Sequence, residues 1–379
     1  MTVPMSDLPG EYHALRDEID AAIHRVIEDG DFVLGPEVEA FEREFAVYCG
    51  SRYGIGVGSG TAAIHLALLA CGIGQGDEVI TVPNTDIPTT MVVSHCGASI
   101  VWADIDGRTF NIDPGEIEDK ITDRTKAILP VHLFGHPAEM DPIVEIARRR
   151  GLLVMEDAAL AVGAEYKGRK VGTLGDVGCF SLAPTKILGA YGDAGIVLAQ
   201  DEQIADRIRV LRNYGHALEM EEGGGGITGF RTWKFEVEAF NERLDTLQAA
   251  ILRAKLPTLE DRIERRRWVA RRYADLLSGL DLTIPYEAPH ARHVYRAYAI
   301  LVDERDRVRE HLTSRGIATD IYYIPPLHLQ PAYRRMGLKP GAFPVAEAVA
   351  ERMLCLPIYP EMTEGQIGEV VSALKECIA

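Results

Sequence analysis

The sequence predicts an α/β protein: a mostly parallel sheet between layers of helices, followed by a smaller α/β unit toward the carboxyl end. Two observations carry this expectation. From about residue 36 to 200, short apolar runs alternate with helix-patterned segments, the pattern of buried strands joined by helical crossovers. Beyond a long amphipathic stretch, the segments "RAYAILV", "RVREHLTSRGI" and "EGQIGEVVSALKECI" repeat the alternation on a smaller scale. Residues 1–250, with an N-terminal segment, are assigned to the large unit and 251–379 to the small one.

Strands are expected at "EVITV" (78–82), "SIVWADI" (99–105), "KAILPVHL" (126–133), "LLVMED" (152–157), "VGCFSL" (177–182) and "AGIVLA" (194–199). Each is a short apolar run. Between them, residues 59–73, 89–98 and 142–151 have helical spacing and a glycine at or near the end, as helix termini prefer. A charged helical stretch, "DEQIADRIRVLRNYGH", leads into "EMEEGGGGITGF", whose four consecutive glycines suit a loop or lid rather than a helix or strand. Residues 243–280 read as a helix pair or one helix bent at Pro257, joining the two units. The basic run "RIERRRWVARR" within them reads as a solvated helix face.

Composition narrows the function classes. The chain has 379 residues, 47% hydrophobic and 26% charged, with a formal net charge of −17. That charge disfavours nucleic acid or an anionic membrane as a bulk partner. Six cysteines are scattered without a CxxC pair, so reduced thiols are expected rather than a disulfide framework or a metal site. No apolar segment has the length of a signal peptide or membrane span, and a soluble cytoplasmic protein is expected.

Three stretches fall where open α/β sheets place ligands, just beyond strand carboxyl ends. In "FSLAPTKILGAYGDAG", Lys186 is the one lysine in a run of apolar, small and hydroxylated residues. It is either a surface lysine at a turn or a lysine neutralised by its surroundings, able to form a Schiff base with a carbonyl compound or pyridoxal phosphate. In "GVGSGTAAIH", small residues enter a helix directly, and Gly60, Thr61 and the following amides either cradle a phosphate or mark a tight turn with a Ser or Thr cap. In "LLVMEDAALAVGA", an apolar strand ends in Glu156 and Asp157. Such carboxylates serve an ion pair, a helix cap or, if pyridoxal phosphate is the ligand, its protonated ring nitrogen. Ser181 stands five positions before Lys186, within reach of a phosphate held beside that lysine.

Together with "DFVLGPEVEAFEREFA", "VGSGTAAIHLAL", "GIGQGDEVI", "PVHLFGHPAEMD", "EDAALAVGAEYKGRKVGTLGDVGCFSL", "LRNYG" and "NERLDTLQAAIL", these features make the chain resemble the DegT/DnrJ/EryC1/StrS family of pyridoxal-phosphate aminotransferases over nearly its whole length. The resemblance implies fold type I, with a mostly parallel seven-stranded sheet in the large domain and a small C-terminal α/β domain. It implies pyridoxal phosphate as cofactor, with pyridoxamine phosphate as the intermediate form. Lys186 would be the Schiff-base lysine, Asp157 the ring-nitrogen partner, and Gly60, Thr61 and Ser181 phosphate contacts. Asn241 would reach the phosphate held by a neighbouring subunit, so the implied enzyme is a homodimer with shared sites. His328 and Tyr323, in "YYIPPLHLQPAY", lie in a block near the substrate mouth.

Two cofactor-contact positions depart from the family's pattern. Leu160 stands where relatives carry Gln or His against the cofactor's ring oxygen, and Asp86, in "VPNTDIPTT", where they place an aromatic over the ring. The retained lysine argues against the family's dehydratase branch, which replaces it by histidine. The resemblance implies transfer of an amino group, commonly from L-glutamate, to a nucleotide-linked keto-deoxyhexose. Alternatives are a ketocyclitol or other non-nucleotide ketone as acceptor, or a catalytically silent relative that binds the cofactor or a sugar nucleotide.

Overall fold

In the computed structural model, residues 3–216 and 234–378 are described, and "EMEEGGGGITGF" lies outside them. Seven strands form the central sheet, in the spatial order Tyr53–Val57, Gly195–Ala199, Val177–Ser181, Leu153–Asp157, Thr125–Ile128, Glu78–Thr81, Ser99–Trp102. Gly195–Ala199 runs antiparallel to both neighbours, and the other strands run in one direction. Six of these are the six expected apolar runs. Tyr53–Val57, "YGIGV", was not anticipated, because its two glycines dilute the apolar signal. The packing explains one of them: a Cβ at Gly54 would lie 2.5 Å from the Glu42 carbonyl oxygen of the covering helix Pro36–Cys49.

Helices Gly60–Ala70, Pro88–His95 and Met140–Arg150 cross over between the parallel strands at the three expected places. The main core, including Phe41, Phe45, Leu66, Ile80, Ile128 and Phe180, fills the layers between sheet and helices. Thr246–Lys255 and Leu259–Leu277 are two helices joined by a single 3-10 turn, Leu256–Thr258, so the chain bends at Pro257. The first of them packs Ala250 against Ala22 and Val26 of helix Arg16–Asp29.

A second hydrophobic cluster holds Tyr273, Tyr298, Leu312, Leu356 and Leu374, with Val3 inserted from the amino end. It packs around the antiparallel pair Tyr298–Leu301 and Met353–Leu356. The arginines of Leu259–Leu277 correct the expectation of a solvated helix face. Arg265 donates to the Pro360 and Met362 carbonyls, buried Arg266 to the Ile358 carbonyl, and Arg262 and Arg267 pair with Glu361 and Glu287. Guanidinium groups can occupy a packed seam when carbonyls and carboxylates match their N–H groups.

Candidate active site

Because six strands run in parallel, their carboxyl ends share one sheet edge, and the chain turns out of the sheet there into loops that carry polar side chains. After Val57 the chain enters helix Gly60–Ala70, capped by Ser59, whose Oγ accepts from the Ala62 N–H at 3.0 Å. Both readings of "GSGT" therefore hold: the serine caps, while the N–H groups of Gly60 and Thr61, in the first turn, lack intrahelical acceptors. Gly60 packs directly on Ser181, since a Cβ at Gly60 would lie 2.5 Å from the Ser181 Cβ. The Ser181 hydroxyl is thus brought to the positive end of a helix dipole, beside free amides.

After Ser181, residues 182–190 form a loop closed by the Ala190 N–H bond to the Leu182 carbonyl, 2.8 Å, with the Lys186 N–H on the Ala183 carbonyl at 2.9 Å. The Lys186 side chain lines a cavity of about 180 Å³ together with Asp86, Phe134, Leu160, Thr185, Arg296, Ala297, Tyr322 and Tyr323. No hydrogen bond or ion pair of the Lys186 ammonium is made within the chain among the described residues. Burial, with a smaller contribution from the nearby Arg296 charge, lowers its pKa to about 8, against the opposing pull of Asp157 and Asp86.

Asp157 ends its strand buried, with Oδ2 accepting from the Thr89 hydroxyl at 2.7 Å and Oδ1 from the Ala159 N–H at 3.1 Å. Thr89 spends its single proton on Asp157, so the Thr85 hydroxyl, 2.9 Å away, donates to Thr89. Burial raises the Asp157 pKa despite these donors and despite the Lys186 charge nearby. The adjacent acid differs. Glu156 is fully buried and saturated by the Gly172, Leu174 and Gly175 N–H groups, each at 2.7 Å, and by His132 Nε2 at 2.8 Å. His132 Nδ1 accepts from the Ala138 N–H at 3.0 Å, so its proton resides on Nε2 and points at Glu156. Glu156 is a structural anion, whereas Asp157 has unfilled acceptor capacity.

The structure thus brings Lys186, Asp86, Leu160 and Tyr323 to one cavity, Asp157 within electrostatic reach of Lys186, and Gly60 against Ser181, with Thr61 next in the same helix turn. Burial, with Asp86 adding to it, raises the Tyr323 phenol well above its ordinary pKa. Asn241 does not line that cavity: it is exposed and forms a backbone bridge with Asn213, while the Glu242 carbonyl beside it accepts from the Gly58 N–H at 2.9 Å. His328 is 1% exposed and does not line the cavity. Its Nε2 lies 3.0 Å from Glu347 Oε1 and its ring packs edge-on against Phe343. Sequence reasoning passed over Thr89, Arg296, Phe134 and Tyr322. Thr89 had a detectable signal, a hydroxyl four residues from Thr85 at a helix start facing a strand end, while Arg296 sits in "HVYRAYAILV" with no local mark.

Comparison with known proteins agrees with this geometry. The profile of the DegT/DnrJ/EryC1/StrS aminotransferase family matches residues 13–375. The chain belongs to that family. It is 44% identical to the erythromycin biosynthesis sensory transduction protein EryC1 of Saccharopolyspora erythraea, over 99% of both chains. It is 42% identical to the dTDP-3-amino-3,4,6-trideoxy-alpha-D-glucose transaminase of Streptomyces venezuelae, over 99% of this chain and 96% of that one. The crystal structure of S. venezuelae DesV in complex with a ketimine intermediate superposes with a TM-score of 0.93 at 42% identity, covering 99% of this chain and 98% of that one. The family is pyridoxal-phosphate-dependent, and this chain is an aminotransferase.

The residues present fit that cofactor. Its phosphate suits the amides of Gly60 and Thr61 beside the Ser181 hydroxyl, which the bare Gly60 backbone allows to come close, since a Cβ at position 60 would meet the Ser181 Cβ at 2.5 Å. Its protonated ring nitrogen suits Asp157, a carboxylate that burial destabilises and that a cation would compensate. Its aldehyde suits an unpaired lysine with a lowered pKa.

Proposed function

We propose that this aminotransferase moves an amino group from L-glutamate to the keto carbon of a nucleotide-linked deoxysugar, in the formation of an amino sugar. Support for the acceptor class comes from the 42%-identical dTDP-sugar transaminase. The observation that carries the catalytic reading is the unpaired Lys186, lowered to about 8, at the same sheet edge as buried Asp157. Bound there, pyridoxal phosphate supplies an electron sink for the carbon that carries the amine. Asp157 holds the ring-nitrogen proton in place, and Thr89, itself oriented by Thr85, fixes the carboxylate against rotation. Lys186 would hold the cofactor through its amine and, when that amine is free, would serve as the base that takes and returns the substrate's proton. A base near 8 is matched to that task close to neutral pH. Gly60, Thr61 and Ser181 anchor the phosphate. Leu160 offers no hydrogen bond to the cofactor's ring oxygen, and the aromatic surfaces of the cavity come from Phe134, Tyr322 and Tyr323 in place of Asp86.

The exposed Asn241, away from its own chain's cavity, supports a homodimer in which it completes the partner's phosphate site. Mixing Lys186→Ala with Asn241→Asp subunits should then restore activity through the one heterodimer site that carries neither lesion. No recovery after verified exchange would mean that Asn241 serves its own chain's site or none. The function is tested by adding L-glutamate to the purified holoenzyme. The absorption band should shift to that of the pyridoxamine form, and a keto-sugar nucleotide added next should gain an amine by mass. A spectrum indifferent to glutamate, or amination of ketocyclitols but of no sugar nucleotide, would overturn the assignment.

A further inference from the structure

The cavity that holds Lys186 contains a second cation that this chemistry leaves without a task. Arg296 is half-buried in the cavity wall, its Nε is buried with no acceptor, and its guanidinium makes no ion pair within 4.0 Å among the described residues. The contrast with its neighbours is sharp: Arg262, Arg266, Arg267 and Arg292 all find carbonyl or carboxylate oxygens. Nor is Arg296 loosely placed. Its own N–H donates to the Phe134 carbonyl at 2.8 Å, and the Val294 N–H donates to the Gly135 carbonyl at 3.1 Å. A guanidinium partly withdrawn from water and denied an anion in its own chain is an unfilled anion site.

We propose that Arg296 receives the α-carboxylate of the amino-acid donor; the assignment rests on the aminotransferase reading above. An α-carboxylate is bonded to the same carbon as the reacting amine, so its receptor must line the cavity that holds Lys186, as Arg296 does. The planar fork of a guanidinium matches a carboxylate through two parallel N–H bonds. A sugar nucleotide carries its diphosphate a sugar ring away from the reacting carbon, and that group would lie outside such a cavity. The wall also presents the Asp86 carboxylate, so a zwitterion meets both signs of charge there.

The test separates the two half-reactions in Arg296→Gln and Arg296→Lys by stopped-flow absorbance, using L-glutamate with the pyridoxal form and a keto-sugar nucleotide with the pyridoxamine form. Arg296→Gln should lower the rate constant for glutamate on the order of 10²-fold, as for loss of one partner of a desolvated charge pair, and slow the sugar step far less, through the Lys186 charge state alone. Arg296→Lys should recover part of the loss and keeps the test available if the glutamine variant does not fold. Calorimetric affinity for 2-methyl-L-glutamate, which has no α-hydrogen to transfer, should fall by the same factor. A loss confined to the sugar step would assign Arg296 to the diphosphate and overturn the proposal. Equal losses in both steps would mean that it acts only through the charge state of Lys186, and no loss in either would mean no role; both outcomes overturn it. Failure of the parent protein to react with glutamate would instead sink the choice of L-glutamate as donor.

Discussion

Two lysines touch the loop 182–190, and the fold treats them in opposite ways. Lys255 is 1% exposed, yet its Nζ lies 2.9 Å from Glu11 Oε1 and donates to the Gly189 carbonyl, with Arg262 also on Glu11 at 3.3 Å. Lys186 is less deeply buried and has no such partner. Burial lowers the pKa of both, but at Lys255 the Glu11 charge and hydrogen bond oppose it directly. A buried ammonium with an anion and a carbonyl in contact is a structural tie, here pinning the Gly189 end of the loop. One left unpaired in a cavity stays available for chemistry. The same rule separates Glu156, surrounded by donors, from Asp157 beside it.

The comparison fails outright if Lys186 proves dispensable. Lys186→Met should abolish turnover, yet the cofactor-free variant should melt at or slightly above the parent, by about 2 °C, because an unpaired half-buried charge has been removed. Residual steady-state turnover above background, or a clear fall in Tm, would place Lys186 with Lys255. Asp157→Asn should retain cofactor by difference spectrum while kcat falls by about 10²- to 10⁴-fold, the range of a positioned proton-holding group. Near-normal kcat would make Asp157 as structural as Glu156.

Lys255→Met should do the reverse of Lys186→Met, costing about 3 kcal/mol in urea unfolding, because Glu11 loses its buried partner. Lys255→Met combined with Glu11→Leu should regain a good part of that loss. An unchanged midpoint in the single variant would show that Arg262 alone satisfies Glu11. The smallest effect concerns pH. Attack on the cofactor aldehyde requires neutral Lys186, so the rate at which the cofactor-free protein binds pyridoxal phosphate should rise through pH 7 and level off above about 8. A rate still climbing at pH 10 would indicate an ordinary lysine. Linkage has the same sign. Between about 8, the folded value, and 10.5, the ordinary one, the unfolded chain binds the extra proton, so stability rises with pH across that window. Lys186→Met should lack this share of the rise.

Much of this protein was legible before its structure. Six strands of the sheet were readable as apolar runs, because a strand buried on both faces needs apolar residues along its whole length. The seventh, Tyr53–Val57, was hidden because Gly54 answers to the approach of the Glu42 carbonyl from another element rather than to a strand's own pattern. Asp157 and Ser181 were recognisable at the ends of apolar strands, Lys186 as the lone cation five positions after Ser181, and Gly60 in a run of small residues that enters a helix, because local order in the chain dictates these positions. Arg262 and Arg266 were misread for the opposite reason, since their partners Glu361 and Ile358 lie about a hundred positions away, and Arg296 was missed because the cavity it lines gathers residues as far apart in the chain as Asp86 and Tyr323.

By itself, then, the sequence determined the order of strands and helices, the crossovers that align six strand ends, and the residue types delivered to that edge. These follow from periodicity, glycine placement and short-range geometry, which act over a few residues. Only the tertiary structure decided which of the charged residues are satisfied. Lys186 and Lys255 both stand in apolar stretches, and His328 and Tyr323 in one short block, yet one of each pair lines the cavity and the other is held by a distant carboxylate, Glu347 or Glu11. The physical reason is that desolvation and Coulomb interaction depend on distance through space and on the local dielectric, quantities that separation along the chain does not encode.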